Sequence, residues 1–145
     1  MSAFDFFTEA QEGQIEAAIA EAELKTSGEI RVHLETKCRE NVLDRAAYIF
    51  EQLEMHETAE RNGVLFYLAT DSHHFAILGD AGINAKVPEG FWEEIKEMTF
   101  SNFKKGEFLE GLVNGILKAG EKLSTHFPYQ IDDVNELSNQ ISYGK

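Results

Sequence analysis

The apolar residues near the start of the chain recur at helical spacing. Ile15, Ala18, Ile19 and Ala22 fall at i, i+3, i+4 and i+7, which predicts an amphipathic helix over 8–25 with one stripe facing a core. Thr8 and Gln11 have the spacing of a capping box at its start, and Thr26-Ser27-Gly28 ends it. Glu9, Glu12, Glu16, Glu21 and Glu23 read as its solvated remainder. From Glu29 to Glu35 the period falls to two. Ile30, Val32 and Leu34 alternate with Arg31, His33 and Glu35, as in a strand buried mainly on one face. A polar linker, Thr36 to Asn41, follows. Asn41 is placed to cap a second helix over about 42–55, whose expected stripe is Leu43, Ala46, Ala47, Phe50 and Leu53.

Val64 to Ala69 is different: an unbroken apolar run between Asn62-Gly63 and Thr70-Asp71-Ser72, the pattern of a strand buried on both faces. Phe75 to Leu78 is a second short run, separated from the first by turn residues, so the two should form an antiparallel hairpin. Strand, helix and strand before it make a βαβ unit with parallel strands and a right-handed crossover. The sheet is therefore mixed. Gly79 to Asn84 reads as a small-residue loop, after which the pattern turns helical. Pro88 suits a first helical position, with Phe91, Trp92, Ile95 and Met98 as the stripe. Gly106 interrupts. A last helix, about 106–125, carries Leu109, Leu112, Val113, Ile116, Leu117 and Leu123, and His126-Phe127-Pro128 stops it. The expected organisation is one α/β domain over 1–128, helices on both faces of a small sheet, and a polar, loosely ordered tail over 129–145 that includes Asp132 and Asp133.

Composition narrows the function. With 145 residues, 43% hydrophobic residues and 11 Phe, the chain has material for one well-filled core. Its formal net charge of -13 repels phosphate backbones, so no nucleic-acid partner is expected. The same charge favours divalent metal ions or a basic protein partner, or else simply maintains solubility. Cys38 is the sole cysteine, which excludes an intrachain disulfide. No window reaches the ~18 apolar residues of a membrane span, and the N-terminus lacks the basic and apolar regions of a signal peptide. A monomer in the cytoplasm, without direct membrane insertion, is the expectation.

Most familiar chemistries find no motif. Neither GxGxxG nor a P-loop occurs, and the first strand runs into Thr36-Lys37-Cys38-Arg39-Glu40, which has no glycine to let backbone approach a pyrophosphate. No nucleotide cofactor is expected. Cys38 has Lys37 and Arg39 beside it but no identifiable base, and GxSxG is absent. His73 and His74 are adjacent, so they point apart, and HExxH is absent. A hard-cation site has more support. Asp71 follows the end of the central strand, where ligands gather in open α/β sheets. Asp44 stands near the N-terminus of the crossover helix, at the same sheet edge. Asp80 and Asn84 belong to the opposite edge and offer oxygen ligands at short spacing. Such loop oxygens suit Ca²⁺ better than Mg²⁺. Each acid has an ordinary alternative: helix-dipole stabilisation for Asp44, an Asx turn for Asp71, a cap for Asp80.

An ordered set of short matches resembles the TPM-domain family, which includes thylakoid-lumen proteins of photosystem repair and many bacterial proteins. The set is Ser27-Gly28-Glu29-Ile30-Arg31-Val32, Asn62-Gly63-Val64-Leu65, Gly79-Asp80 with Ile83-Asn84, Val87-Pro88 with Phe91-Trp92, and Phe103, Gly106, Phe108, Gly111 and Leu112, spanning about 8–128. The resemblance implies a three-layer α/β/α sandwich built on β-α-β-β, Rossmann-like without the dinucleotide loop. It also implies an acidic crevice for Ca²⁺ or Mg²⁺. Asp80 lies inside a matching motif, Asp71 in the matching turn region, and Asp44 rests on its place near the crossover helix. A plant branch is linked to acid phosphatase activity, so a metal-dependent phosphatase is the alternative to a non-catalytic binding module. Against it, the sequence displays no dense ligand set and no basic cradle for phosphoryl oxygens. The acid on the third and fourth helices, Glu89, Glu93, Glu94, Glu97, Glu107 and Glu110, reads either as a solvated face or as the surface for a basic partner.

Overall fold

The central run forms β2 (Gly63–Ala69), in which every residue is buried. Its neighbours explain why. In a computed structural model describing residues 2–131 and 135–144, β2 pairs parallel with β1 (Glu29–Glu35), from Glu29 opposite Gly63 to Glu35 opposite Ala69. On its other side it pairs antiparallel with β3 (His74–Gly79), from Val64 opposite Gly79 to Ala69 opposite His74. A short β4 (Ser142–Gly144) runs parallel to β1, giving the order β3-β2-β1-β4. With neighbours on both edges and helices over both faces, β2 has no surface to give to water.

The helices follow from their stripes. α1 (Glu9–Glu23) opens with the capping box: Gln11 N–H donates to Thr8 Oγ1 at 3.1 Å, and Thr8 N–H donates to Gln11 Oε1 at 2.9 Å. Ile15, Ala18, Ile19 and Ala22 are its buried face. With α4 (Glu93–Phe103) and α5 (Phe108–Leu123) it covers the sheet face carrying Ile30, Val32, Leu34, Val64, Phe66 and Leu68. α2 (Val42–Gln52) and the turn Met55–Glu57 cover the other face, where Ala46, Ile49, Phe50 and Met55 meet Leu65, Tyr67, Ala69 and Ala76. The result is the three-layer α/β/α sandwich. Burying one Phe or Leu of this kind contributes about 1.5–3 kcal/mol.

Four local expectations change. The stripe on α2 is rotated: Ala46, Ile49 and Phe50 are buried, while Leu43 and Ala47 face outward, because the sheet contact selects one side of the helix. The stretch after Asp80 is helical, forming α3 (Ala81–Lys86) with Asp80 as its cap. The next helix begins only at Glu93, because Gly90 adopts φ +81°, outside the helical region. β1 is buried on both faces, with Glu29, His33 and Glu35 4%, 3% and 1% exposed.

The C-terminal segment expected as a loose tail supplies β4, and glutamates of α1 and β1 help hold it. Ile141 N–H donates to Glu16 at 3.4 Å, Tyr143 hydroxyl donates to Glu12, and Leu137 N–H donates to Glu29 at 2.6 Å. These are backbone and carboxylate contacts, which a count of apolar periods does not register. Asp132 and Asp133 lie outside the described residues.

Candidate functional site at the ends of the parallel strands

On the sheet face that α2 covers, His33 and Glu35 of β1 are buried and meet one another. Glu35 is the centre. Arg45, on α2, donates from Nε to Oε1 and from Nη2 to Oε2, both at 2.8 Å. Tyr67, on β2, donates its hydroxyl to Oε1 at 2.7 Å, and His33 Nε2 lies 3.2 Å from Oε2. Burial alone would raise the Glu35 carboxyl, but the donors from Arg45, Tyr67 and His33 outweigh it and hold the group at about 2. Burial lowers His33, against the pull of Glu35, so its imidazole is neutral at pH 7. An ionised carboxylate only accepts, so Nε2 carries the proton. Nδ1 then accepts from the Ser142 hydroxyl at 2.9 Å, tying β4 to the cluster. Gly144 closes the same corner: a Cβ there would come within 2.5 Å of Glu35 Oε2.

Above this cluster the chain leaves the sheet. Thr70 N–H donates to Glu35 O at 2.7 Å and Asp71 N–H to Thr36 O at 2.8 Å, so both strand ends stay zipped together as far as Asp71. Cys38 N–H donates to Ser72 Oγ at 3.1 Å, and Ala3 N–H donates to Thr36 Oγ1 at 3.0 Å. Between the N-terminal turn and the loop from β1 to α2 lies a cavity of about 620 Å³. Ser2, Phe4 and Thr36 line it together with Lys37, Arg39 and Arg45 and the carboxylates of Glu35 and Glu40. Folding thus brings three basic side chains and two carboxylates to one cavity, a grouping the sequence did not display.

The expected site residues divide between two edges. Asp44 is in the first turn of α2, where Asn41 Oδ1 accepts from the amides of Leu43 and Asp44 at 2.9 and 3.2 Å. Asp71 follows β2. Both acids are exposed at the edge where the parallel strands end. Asp80 and Asn84 sit at the other edge, beside the start of β2, where Asp80 N–H donates to Gly63 O at 2.9 Å. There Asp80 is 7% exposed and its oxygens are engaged: Arg61 donates from Nε at 2.8 Å and from Nη2 at 2.9 Å, and Ala81 N–H donates at 2.7 Å. Asn84 Nδ2 donates to Gly79 O at 3.0 Å. A guanidinium in contact with both oxygens repels a cation, so Asp80 fits a structural cap and not a metal ligand. Asp44 and Asp71 have the donor chemistry for a hard cation, although among the described residues no three His, Cys, Asp or Glu side chains are grouped to hold one.

The remaining candidates are ordinary. Cys38 is buried, with Sγ donating to Glu40 O at 3.2 Å. His73 and His74 are exposed at the β2–β3 turn. On α4, Glu94 pairs with Lys118 at 3.3 Å and Lys122 at 3.1 Å, so part of the acidic surface is neutralised within the chain. No helix among the described residues is long and apolar enough to cross a membrane. What the sequence missed was the Glu35 cluster. Its signal was present in the polar set Arg31, His33 and Glu35, which the alternation assigned to solvent.

A family model described as the TPM domain matches residues 3–122. The chain is similar to the BA42 protein of the psychrophilic bacterium Bizionia argentinensis, whose NMR structure shares 46% identity, a TM-score of 0.92 and 97% coverage of each chain. It also shares its fold with the N-terminal domain of a P. gingivalis protein, at 21% identity and TM-score 0.68 over 85% of this chain and 80% of that one. The N-terminal domain of the cg2496 protein of Corynebacterium glutamicum has the same fold at 9% identity and TM-score 0.65, covering 94% of this chain and 80% of that one. No curated protein sequence matches.

Proposed function

The chain belongs to the TPM-domain family, and from that premise we propose that it is a non-catalytic binding module that takes a divalent cation at the edge carrying Asp44 and Asp71. One observation carries the reading: both acids stand exposed at the edge where the parallel strands end, the usual ligand edge of an open α/β sheet. Carboxylates with nearby backbone carbonyls suit the irregular oxygen shell of Ca²⁺; Mg²⁺, which keeps its waters, is the weaker ligand. The exposed glutamates of α4 and α5 favour a basic protein partner whose attachment a bound cation would tune.

Titration with Ca²⁺ while following backbone amide shifts tests this. Shifts should cluster around residues 44 and 71, vanish in Asp71→Ala, and weaken in Asp44→Ala. Shifts confined to 80–84, or none at millimolar metal, would falsify the assignment.

A second reading, a metal-dependent phosphatase, is favoured by the grouping of Lys37, Arg39 and Arg45 around one cavity at the same edge of the sheet. Its test is turnover of a chromogenic phosphate ester that follows added metal and is lost in Asp71→Ala. Equal turnover by that variant excludes it.

A further inference from the structure

We infer that the cavity between the N-terminal turn and the β1–α2 loop binds a small organic monoanion, an apolar body bearing one carboxylate. The inference goes beyond the cation reading and does not require a metal at Asp44 or Asp71.

Charge comes first. The chain carries 13 basic against 26 acidic residues, yet Lys37, Arg39 and Arg45 all line this one cavity. Two carboxylates oppose them. Glu35 is already saturated by Arg45, Tyr67 and His33, and Glu40 lies 3.7 Å from Arg45. Among the residues that line the cavity three cations face two carboxylates, an excess of one positive charge that a monoanion balances and a dianion exceeds. Arg45 is fixed by Glu35 on one side and by the Tyr48 ring on the other, 5.0 Å from its guanidinium. Lys37 and Arg39, both exposed, are therefore the groups to receive the carboxylate.

Shape and polarity give the rest of the ligand. About 620 Å³ falls in the range of small-molecule sites, roughly 300–1,000 Å³. Phe4 lines the cavity and is 55% exposed, a large aromatic left uncovered although Tyr143 stacks on it at 5.1 Å. A free inorganic anion would leave the Phe4 ring in water. An aryl or alkyl group covers it while its carboxylate reaches the cations. The site also lies at the C-terminal ends of the parallel strands, the usual ligand edge of open α/β sheets.

The experiment uses the ¹⁵N-labelled full chain in EDTA, with phenylacetate, acetate and phenyl phosphate as probes. Phenylacetate should give saturable shifts centred on residues 36–40 and on Phe4, with Kd on the order of 1 mM. Acetate should bind at least ~10-fold more weakly for want of the apolar body. Phe4→Ala should weaken phenylacetate binding several-fold, and Lys37→Glu/Arg39→Glu should abolish it. Both charged positions are exposed, so that variant should keep a dispersed, native spectrum, which separates lost binding from lost folding. Absence of saturation, shifts centred elsewhere, or undiminished binding by the charge-reversed variant would each overturn the inference. Tighter binding of phenyl phosphate than of phenylacetate would also overturn it, in favour of a phosphoryl site.

Discussion

Arg45 holds both carboxylate oxygens of Glu35 at 2.8 Å, one partner from α2 and the other from the covered face of β1. Glu35 is buried and charged, so the pair decides whether that face can be packed at all. Arg45→Ala should cost about 3–5 kcal/mol, because it leaves a buried carboxylate without its cation. Denaturant unfolding at pH 7 measures this. A cost below about 1 kcal/mol would mean that Tyr67 and His33 suffice.

The same carboxyl contributes to the acid limb of stability. Its native value near 2 lies below the ordinary 4.5, so its contribution is full above about 4.5 and disappears as pH falls toward 2. Wild type should lose melting temperature through that window. Glu35→Gln should show a flatter acid limb from a lower starting point.

Glu23 and Glu29 act in the opposite sense. Burial raises each to about 7, against the hydrogen bonds they accept from Ile30 and Leu137. Their contribution is full below about 4.5 and is lost as pH rises through 7. Glu29→Gln keeps an acceptor for Leu137 N–H and removes the charge that Glu136 repels, so it should stabilise by about 1 kcal/mol at pH 8 and by little at pH 4. Paired unfolding curves at the two pH values check the sign. Equal effects at both would refute it.

Two glycines should respond oppositely to a methyl group. A Cβ on Gly82 would meet Glu60 O at 2.1 Å and Arg61 O at 2.6 Å, where the Gly82 N–H bonds to Arg61 O at 2.9 Å. Gly82→Ala should cost about 1–3 kcal/mol and loosen the Arg61–Asp80 pair. Gly13, in the middle of α1, has nothing within 4 Å, so Gly13→Ala should stabilise by up to about 1 kcal/mol. Thermal unfolding of the two variants decides both.

Ending the chain after Gln130 should remove β4 and its ties to Glu12, Glu16, Glu29 and His33. Hydrogen exchange should then quicken at His33, Leu34 and Glu35, which face β4, and much less at Val64 to Ala69, which β1 and β3 still flank. Unchanged protection along β1 would show that β4 adds nothing to the sheet.

Local pattern alone determined the βαβ unit, the hairpin after it, the central position of Val64 to Ala69 and the helix stripe at Ile15, Ala18, Ile19 and Ala22. Each is set by periodicity over a few residues and by turn chemistry beside it. The sequence also placed Asp44 and Asp71 at one edge and Asp80 at the other, because strand direction fixes where loops emerge. Only the tertiary structure decided what the polar residues do. His33 and Glu35 alternate with apolar neighbours as solvent-facing residues would, and become interior because α2 brings Arg45 to Glu35 and β4 brings Ser142 to His33. Asp80 resembles a ligand until Arg61 is seen on both its oxygens. Lys37, Arg39 and Arg45 share a cavity with Phe4 only when the N-terminal turn folds against their loop. Apolar burial is written in short-range spacing, whereas the partner of a charge is chosen across the fold, by whichever opposite charge the packing carries within reach.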